Sequence, residues 1–158
     1  MSTLSFQHSN TPEPHVLRRK KLLEKYPELK LLMGFDRTTQ VIILGIVIAQ
    51  YSVAYFVQEY DFLKKWYIFI PLCYAVGGTL SHWAGMGVHE CSHNLAAKTK
   101  LGNRITALFA NLALVTPGSM SFIRHHLGHH TNLGVEKLDN DLPSKWEVQF
   151  IKKNSILK

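Results

Sequence analysis

Two short stretches hold the residues best able to do chemistry in this 158-residue chain: His89 and His93 in HECSH, and His126, His129 and His130 in HLGHH. On a helix, residues four apart differ by roughly 40° in direction and by about one turn in height. His89 and His93 can therefore reach one metal ion, while Cys91 between them points away. His126, His129 and His130 stand at i, i+3 and i+4, which predicts a second helix face carrying three imidazoles. Neutral imidazole suits iron, copper and zinc, whereas calcium or magnesium calls for oxygen donors. His125 falls on another face from His126 and is expected at the surface or in support of the ligands. His82 lies nearly in line with His89, so His82, Met86, His89 and His93 form one stripe. At about 10 Å from His89 along the axis, His82 is too far for the same metal. It is expected to support the site, to line a substrate cavity, or to be a satisfied core histidine. Asp139 and Asp141, in LDNDLP, can orient imidazoles by accepting their second N–H, or can form a turn before Pro143.

HECSH also matches H-E-x-x-H, the zinc-protease pattern in which the glutamate, here Glu90, is the general base. Asp139 would then be a third ligand. That chemistry needs three protein ligands and leaves His126, His129 and His130 unexplained.

The clusters need elements to aim them. Residues 38–57 carry no charge, and residues 66–88 carry none apart from His82, which can be neutral. About 20 such residues cross a hydrocarbon core as a helix, so each run is long enough to span. Buried helices of a soluble bundle are the alternative, and a hydrophobic content of 46% does not exclude it. The first run begins too late for a cleavable signal. Seven Lys and Arg precede the first run, nine follow the second, and only Lys64 and Lys65 lie between, which predicts that both ends face the cytoplasm. The net charge of +7 then reflects topology and anionic headgroups, and no nucleic-acid motif accompanies it. Cys73 and Cys91, on one helix, would be about 27 Å apart, too far to bridge, as expected of reduced thiols.

Residues 1–10 are rich in Ser, Thr and Asn and are expected to be disordered, with a helix starting at Pro12 or Pro14. From Val16, leucines alternate with cations until Pro27 interrupts and Gly34 stops the pattern. This reads as an amphipathic helix pair on a membrane surface, or as a solvated basic face packed on the rest of the protein. Asp36 or Thr38 can cap the first span and Asp61 the second. Residues 58–65 are so short that the spans must form a tight antiparallel hairpin. A third apolar run, 105–123, contains Asn111 and the helix-start signal Thr116-Pro117. A crossing there would put the two clusters on opposite faces of the membrane. It is therefore read as an interfacial helix over 105–116, followed by a second-box helix over 117–131.

With these residues placed, the chain resembles the amino-terminal part of the membrane fatty-acid desaturase superfamily, and within it the sphingolipid 4-desaturases (dihydroceramide desaturases). Arg18-Arg19-Lys20 and the following LLEKYPELK, ending at Leu31-Leu32-Met33, resemble that family's amino-terminal region. His89 to Asn94 is similar to its first histidine box. Phe109-Ala110-Asn111-Leu112, the approach from Ser119 to Arg124, His126 to His130 with Leu133-Gly134, and Asp139-x-Asp141-Leu142-Pro143 resemble its second box and surroundings.

The resemblance implies a non-haem di-iron centre with His89, His93, His126, His129 and His130 as ligands, supported by His82, Asp139 and Asp141. It implies dioxygen as oxidant and electrons from NADH through a b-type cytochrome. It also implies dihydroceramide as the lipid that gains a trans C4–C5 double bond, with C4 hydroxylation in some relatives. No third box follows Pro143, and five histidines are too few for two irons. The chain is therefore expected to be a fragment, the product of a broken reading frame, or one half that needs a complementing segment carrying the missing box. The competing expectation is a non-catalytic remnant or a membrane interaction protein.

The fold expected is an all-α membrane protein. A basic amphipathic region occupies 1–37, and a partial desaturase domain occupies 38–158 with spans near 38–57 and 66–88. It is expected to be multi-pass, in the endoplasmic reticulum if eukaryotic or the inner membrane if bacterial.

Overall fold

A computed structural model describes residues 14–135 and 137–153, and every regular element among them is helical. The expected start at Pro12 and the expected disorder of 1–10 lie outside the described residues. The chain divides into two units: one is Gly34–Arg124, and the other takes in residues up to 33 and from 125 onward.

The first unit begins with the long helix that the sequence predicts. Helix α2 (Thr38–Glu59) follows α1 (Pro14–Lys25) of the other unit, and its first turn needs partners for unpaired N–H groups. The N-cap position falls on Arg37, whose side chain makes no cap bond; of the two expected caps, Asp36 still bonds the first turn, its Oδ1 accepting from the Thr38 N–H at 2.8 Å. Hydrogen bonds from the Thr38 side chain and backbone hold its carboxyl below the usual value. Helix α2 is long and apolar enough to cross a membrane, with a mean hydropathy of 1.9 over 18 residues.

The second apolar run differs from expectation. Instead of one long α-helix over 66–88, it forms α3 (Trp66–Leu72), a π-helical turn (Cys73–Gly78) and α4 (Thr79–Ser92). Among the described residues, α2 alone meets the length and apolarity needed for a crossing. Pro71 lies inside α3, where it lacks an N–H and its ring opposes the carbonyl four residues back, and the wider turn begins two residues after it. The backbone nonetheless stays helical through both junctions, with Leu72, Cys73, Gly78 and Thr79 all right-handed. Asp61 does not cap this helix. Its carboxylate accepts from Lys64 Nζ at 2.8 Å, and α3 starts without a side-chain cap.

Helices α2 and α4 pack through small residues and a few branched ones. Ile43, Ile46 and Val47 of α2 are buried, as are Ala84, Gly87, Val88 and Cys91 of α4. Helix α5 (Lys100–Ala110) adds the buried Ala107 and Ala110, and Thr99 caps it by accepting from the Gly102 N–H at 3.0 Å. That cap starts the helix at Lys100, ahead of the expected 105. The third apolar run breaks at Asn111, short of the expected end at 116. A 3-10 turn (Asn111–Ala113) ends it, and α6 (Ser119–Thr131) begins two residues after Pro117. Asn111 Oδ1 accepts from the Ser119 N–H at 3.1 Å and so fixes that start.

In the other unit, α1 begins at Pro14 and a 3-10 turn (Pro27–Leu32) follows the interruption at Pro27. The last helix, α7 (Lys145–Lys153), was not anticipated, although Ser144-x-x-Glu147 is a capping box. The Ser144 N–H donates to Glu147 Oε2 at 2.7 Å, and the Glu147 N–H donates back to Ser144 Oγ at 3.3 Å.

Gly87 sets the α2–α4 approach, because a Cβ there would lie 2.7 Å from both Cγ1 and Cδ1 of Ile43. Ile43 is 1% exposed and has nowhere to retreat. Gly87→Ala is expected to cost about 1–3 kcal/mol in denaturant unfolding, with part of the loss recovered by adding Ile43→Val.

Candidate functional site

His89 stands in the last turn of α4, and His93 caps that helix at its C-terminal end. Their ring centroids are 4.8 Å apart at 63° between planes. The chain turns immediately beyond, with Asn94 left-handed at φ 60°. The Leu95 N–H donates to Glu90 O at 3.0 Å and the Asn94 N–H donates to Cys91 O at 3.1 Å. This is the paired closure that ends helices on a left-handed residue, and asparagine tolerates that conformation better than most. It fixes His93 against the end of α4. Cys91 is 3% exposed in the core, on the side away from the imidazoles, as its spacing predicts.

The loop after His93 is held by Asn103, which the sequence reading did not single out. Its side chain is 1% exposed and makes four bonds. Oδ1 accepts from the Ala96 and Ala97 N–H groups, both at 3.0 Å, while Nδ2 donates to Ala97 O at 2.7 Å and Thr99 O at 2.8 Å. All four bonding positions of the amide are used. No spacing rule marks a buried asparagine of this kind.

The second cluster lies on α6. His126 and His130 have ring centroids 4.6 Å apart and Nε2 atoms 3.1 Å apart. Two nitrogens each about 2.1 Å from one ion would sit about 3.0–3.4 Å apart, so this pair suits a shared metal. His129 is held from behind. Its Nδ1 is 2.6 Å from Asp139 Oδ1 and 3.4 Å from Asp141 Oδ2. Asp139 is 4% exposed and also accepts from the Gly134 N–H at 2.8 Å and the Asp141 N–H at 3.0 Å. With Nδ1–H donated to Asp139, the lone pair of His129 is left on Nε2, the arrangement by which carboxylates aim metal-binding imidazoles. Gly134 turns the chain back at φ 76°, a conformation that favours glycine. Asn140 Nδ2 donates to His125 Nδ1 at 2.8 Å, so the 139–141 segment grips two imidazoles of α6 at once.

His129, Asp139 and Asp141 could in principle form a mixed ligand set, since their donor atoms lie within 4.8 Å of one another. Both oxygens of Asp139 are already engaged by backbone N–H groups and His129, which favours the supporting role. Asp141 is exposed and reaches His129 at longer range. His82 is exposed on α4 and lines a cavity together with His89. Glu90 Oε1 lies 3.2 Å from His89 Nδ1.

Comparison with known proteins decides between the readings of these clusters. Residues 64–150, more than half the chain, match the family model described as fatty acid desaturase. This chain belongs to the fatty acid desaturase family. Residues 2–38 match the model for sphingolipid Delta4-desaturase. The chain is 38% identical over 146 residues to a sphingolipid delta(4)-desaturase of Candida albicans, covering 92% of this chain and 39% of that protein. Sphingolipid delta(4)-desaturases of Mus musculus and Xenopus tropicalis are 39% and 40% identical, covering 95% and 92% of this chain and 46% and 44% of theirs. The chain thus spans less than half the length of these relatives. No solved structure matches it. The family placement leaves the HExxH protease reading, with Glu90 as base, without support.

Asp139 is held down to about 2, chiefly by its bond to His129, and the same bond raises His129 above its usual 6.5. In the metal-free protein the carboxylate's contribution is present above its unfolded value near 3.8 and fades as pH falls through about 2. The imidazolium's contribution is full below 6.5 and fades as pH rises through the elevated value. The melting-temperature deficit of Asp139→Asn relative to wild type should therefore be greatest between about pH 4 and 6.5 and shrink on either side. Asn103→Leu should cost at least about 2 kcal/mol by unpairing buried backbone groups, with faster hydrogen exchange at the Ala96 and Ala97 amides.

Proposed function

We propose that this desaturase chain supplies ligands to the metal centre of a sphingolipid 4-desaturase that acts on dihydroceramide. The ligands are His89, His93, His126, His129 and His130, and the metal is a pair of non-haem irons. The observation that carries this reading is the purely nitrogen character of each cluster together with the hold on its rings. One pair is locked by the left-handed closure at Asn94, and in the other cluster His129 is held by Asp139.

The donors fit. Imidazoles suit iron, and the Nε2 separation of His126 and His130 suits a shared ion. Bound iron would supply, with dioxygen and electrons, the oxidising power to remove hydrogens from an unactivated C–H bond. The protein's part is to bind, orient and exclude water. Asp139 holds the proton on His129 Nδ1 and so keeps Nε2 available. The Asn94 closure and the Asn103 amide keep His93 from swinging away from His89. His82 on α4 and Asp141 beside His129 act as supporting residues.

The reading includes two membrane crossings, α2 and the continuous helical stretch from Trp66 to Ser92, with both ends in the cytoplasm. The right-handed backbone through the π turn and the excess of cations outside residues 38–88 support it. The membrane is the endoplasmic reticulum in a eukaryote or the inner membrane in a bacterium. Electrons come from NADH through a b-type cytochrome. Five histidines do not complete two iron sites, so the active protein includes a further histidine-bearing segment.

The test is expression of the chain together with such a segment, followed by iron analysis of the purified protein and lipid analysis for ceramide. The expected result is retained iron and a new C4–C5 double bond, with both lost in His89→Ala and in His129→Ala. Absence of iron and of any new double bond would overturn the proposal in favour of a membrane interaction protein.

A further inference from the structure

Helix α1 and the 3-10 turn that follows it enclose a cleft of about 410 Å³, away from the histidines. Val16, Arg19, Lys20, Leu23 and Glu24 of α1 line it at i, i+3, i+4, i+7 and i+8, which is one helix face, and Lys30 of the turn completes it. Among residues 14–33 only Leu23 and Leu29 are partly buried, so the packing of α1 on the turn falls on them. The charge of the cleft is one-sided. Arg19, Lys20 and Lys30 face one carboxylate, Glu24, and among the described residues none of the three is ion-paired with it. A guanidinium and two ammonium groups around such a space suit phosphate oxygens. Arg19 Nη2 donates to Met33 Sδ at 3.8 Å, and a thioether is a weak acceptor that a phosphate oxygen displaces.

A soluble polyanion would account for the cations alone. Next to them Leu31 and Leu32 are 87% and 83% exposed, and Met33 is 51% exposed, three consecutive apolar residues that water does not favour. The chain also limits where they can go. Met33 precedes the start of α2 at Thr38 by five residues, so it lies within about 18 Å of that start however the chain runs. With α2 in a bilayer, the apolar end of the turn stays near the headgroups, where cations beside a leucine pair are the usual means of surface attachment.

We infer that the cleft between α1 and the turn at 27–32 binds the phosphate of an anionic phospholipid, with Leu31 and Leu32 inserted into the leaflet beside it. The inference rests on the reading of α2 as a membrane crossing and does not depend on the metal centre. Helix α1 carries its own control. Arg18, Lys21 and Lys25, at i, i+3 and i+7, lie on nearly the opposite face from the cleft. Diffuse attraction to a charged surface uses both sets of cations alike, whereas a site uses one.

The full chain, purified in detergent, is to be titrated with dioctanoyl phosphatidic acid and the bound lipid counted by native mass spectrometry, with dioctanoyl phosphatidylcholine and inorganic phosphate as comparisons. Phosphatidic acid is expected to bind about tenfold or more tightly than either. Changing Arg19, Lys20 and Lys30 together to Gln should weaken it about a hundredfold, at about fivefold per cation. The same change at Arg18, Lys21 and Lys25 should weaken it less than about tenfold. Equal losses in the two triple variants, or equal binding of phosphatidylcholine or inorganic phosphate, would overturn the site. If a triple variant does not fold, Arg19→Gln against Arg18→Gln decides the matter, with only the first expected to lose about fivefold. Insertion is read by hydrogen exchange in nanodiscs of phosphatidylcholine and phosphatidic acid at four to one. The amides of 27–33 should exchange more slowly there than in pure phosphatidylcholine, and lose that protection in the Leu31→Ser, Leu32→Ser double variant; unchanged exchange would overturn the insertion. Exchange along α2 judges the crossing separately: rapid exchange there counts against the membrane reading, while the titration in detergent still judges the cleft.

Discussion

An imidazole keeps a fixed direction when a neighbouring group or the backbone beneath it holds the ring, and both histidine clusters have such a hold. At His129 the hold is a carboxylate, Asp139, itself fixed by two backbone N–H groups so that its oxygens cannot turn away. At His93 the hold is the backbone: the helix ends on a left-handed asparagine, and the following loop is stitched to the Asn103 amide. One cluster is aimed by electrostatics and hydrogen bonding at the ring, the other by closure of the chain beneath it. The two devices differ in sensitivity. A ring-to-carboxylate bond responds to protonation, whereas a backbone closure responds to which residue occupies the left-handed position.

The packing of Gly34–Arg124 serves the same end. Alanines and a glycine let α2, α4 and α5 approach closely, and the larger side chains go elsewhere. Most of the bulky apolar residues of α2 and α3, among them Val41, Ile48, Trp66 and Ile70, remain exposed. A helix that is apolar on its outward face as well as its inward one belongs in a nonpolar solvent, which is the physical content of the membrane reading. The hydrogen bonds that matter between elements run from side chains to backbone: Ser81 Oγ to Ala113 O at 2.7 Å, and Asn111 Oδ1 from the Ser119 N–H. Each fixes the end of one element against another without adding bulk to the seam.

Much of this was legible from residue types and spacing. The i, i+4 rule placed His89 beside His93 and His126 beside His130, and it turned Cys91 into the core. Thr116-Pro117 announced a new helix, which starts at Ser119, although α5 ends at Ala110 and not at the expected 116, and Pro27 ended α1. The misses have physical causes. Residues 73–78 lie in a run whose hydropathy is uniform, so composition alone cannot register the π turn there. Asn103 works through a loop whose fold no local pattern encodes, because its partners lie four to seven residues earlier in the chain and outside the helix. Helix α7 is announced by the capping box Ser144-x-x-Glu147, a signal too short to imply the amphipathic helix that follows. Asn140 has no spacing rule that ties it to α6, yet it holds His125.

The wide turn at Cys73–Gly78 has a further meaning for how such a protein tolerates change. A π turn spends more residues on one revolution than an α-helix does, so the azimuth of everything downstream depends on keeping that surplus. Losing a single residue there would tighten the coil and rotate α4 by roughly 100° relative to α3. The face bearing His82 and His89 would swing to a new bearing while every individual helix stayed intact. The segment acts as a phase adjuster between the aromatic stretch of α3 and the histidine-bearing end of α4. Length changes within 73–78 should therefore be far less tolerated than substitutions at the same positions.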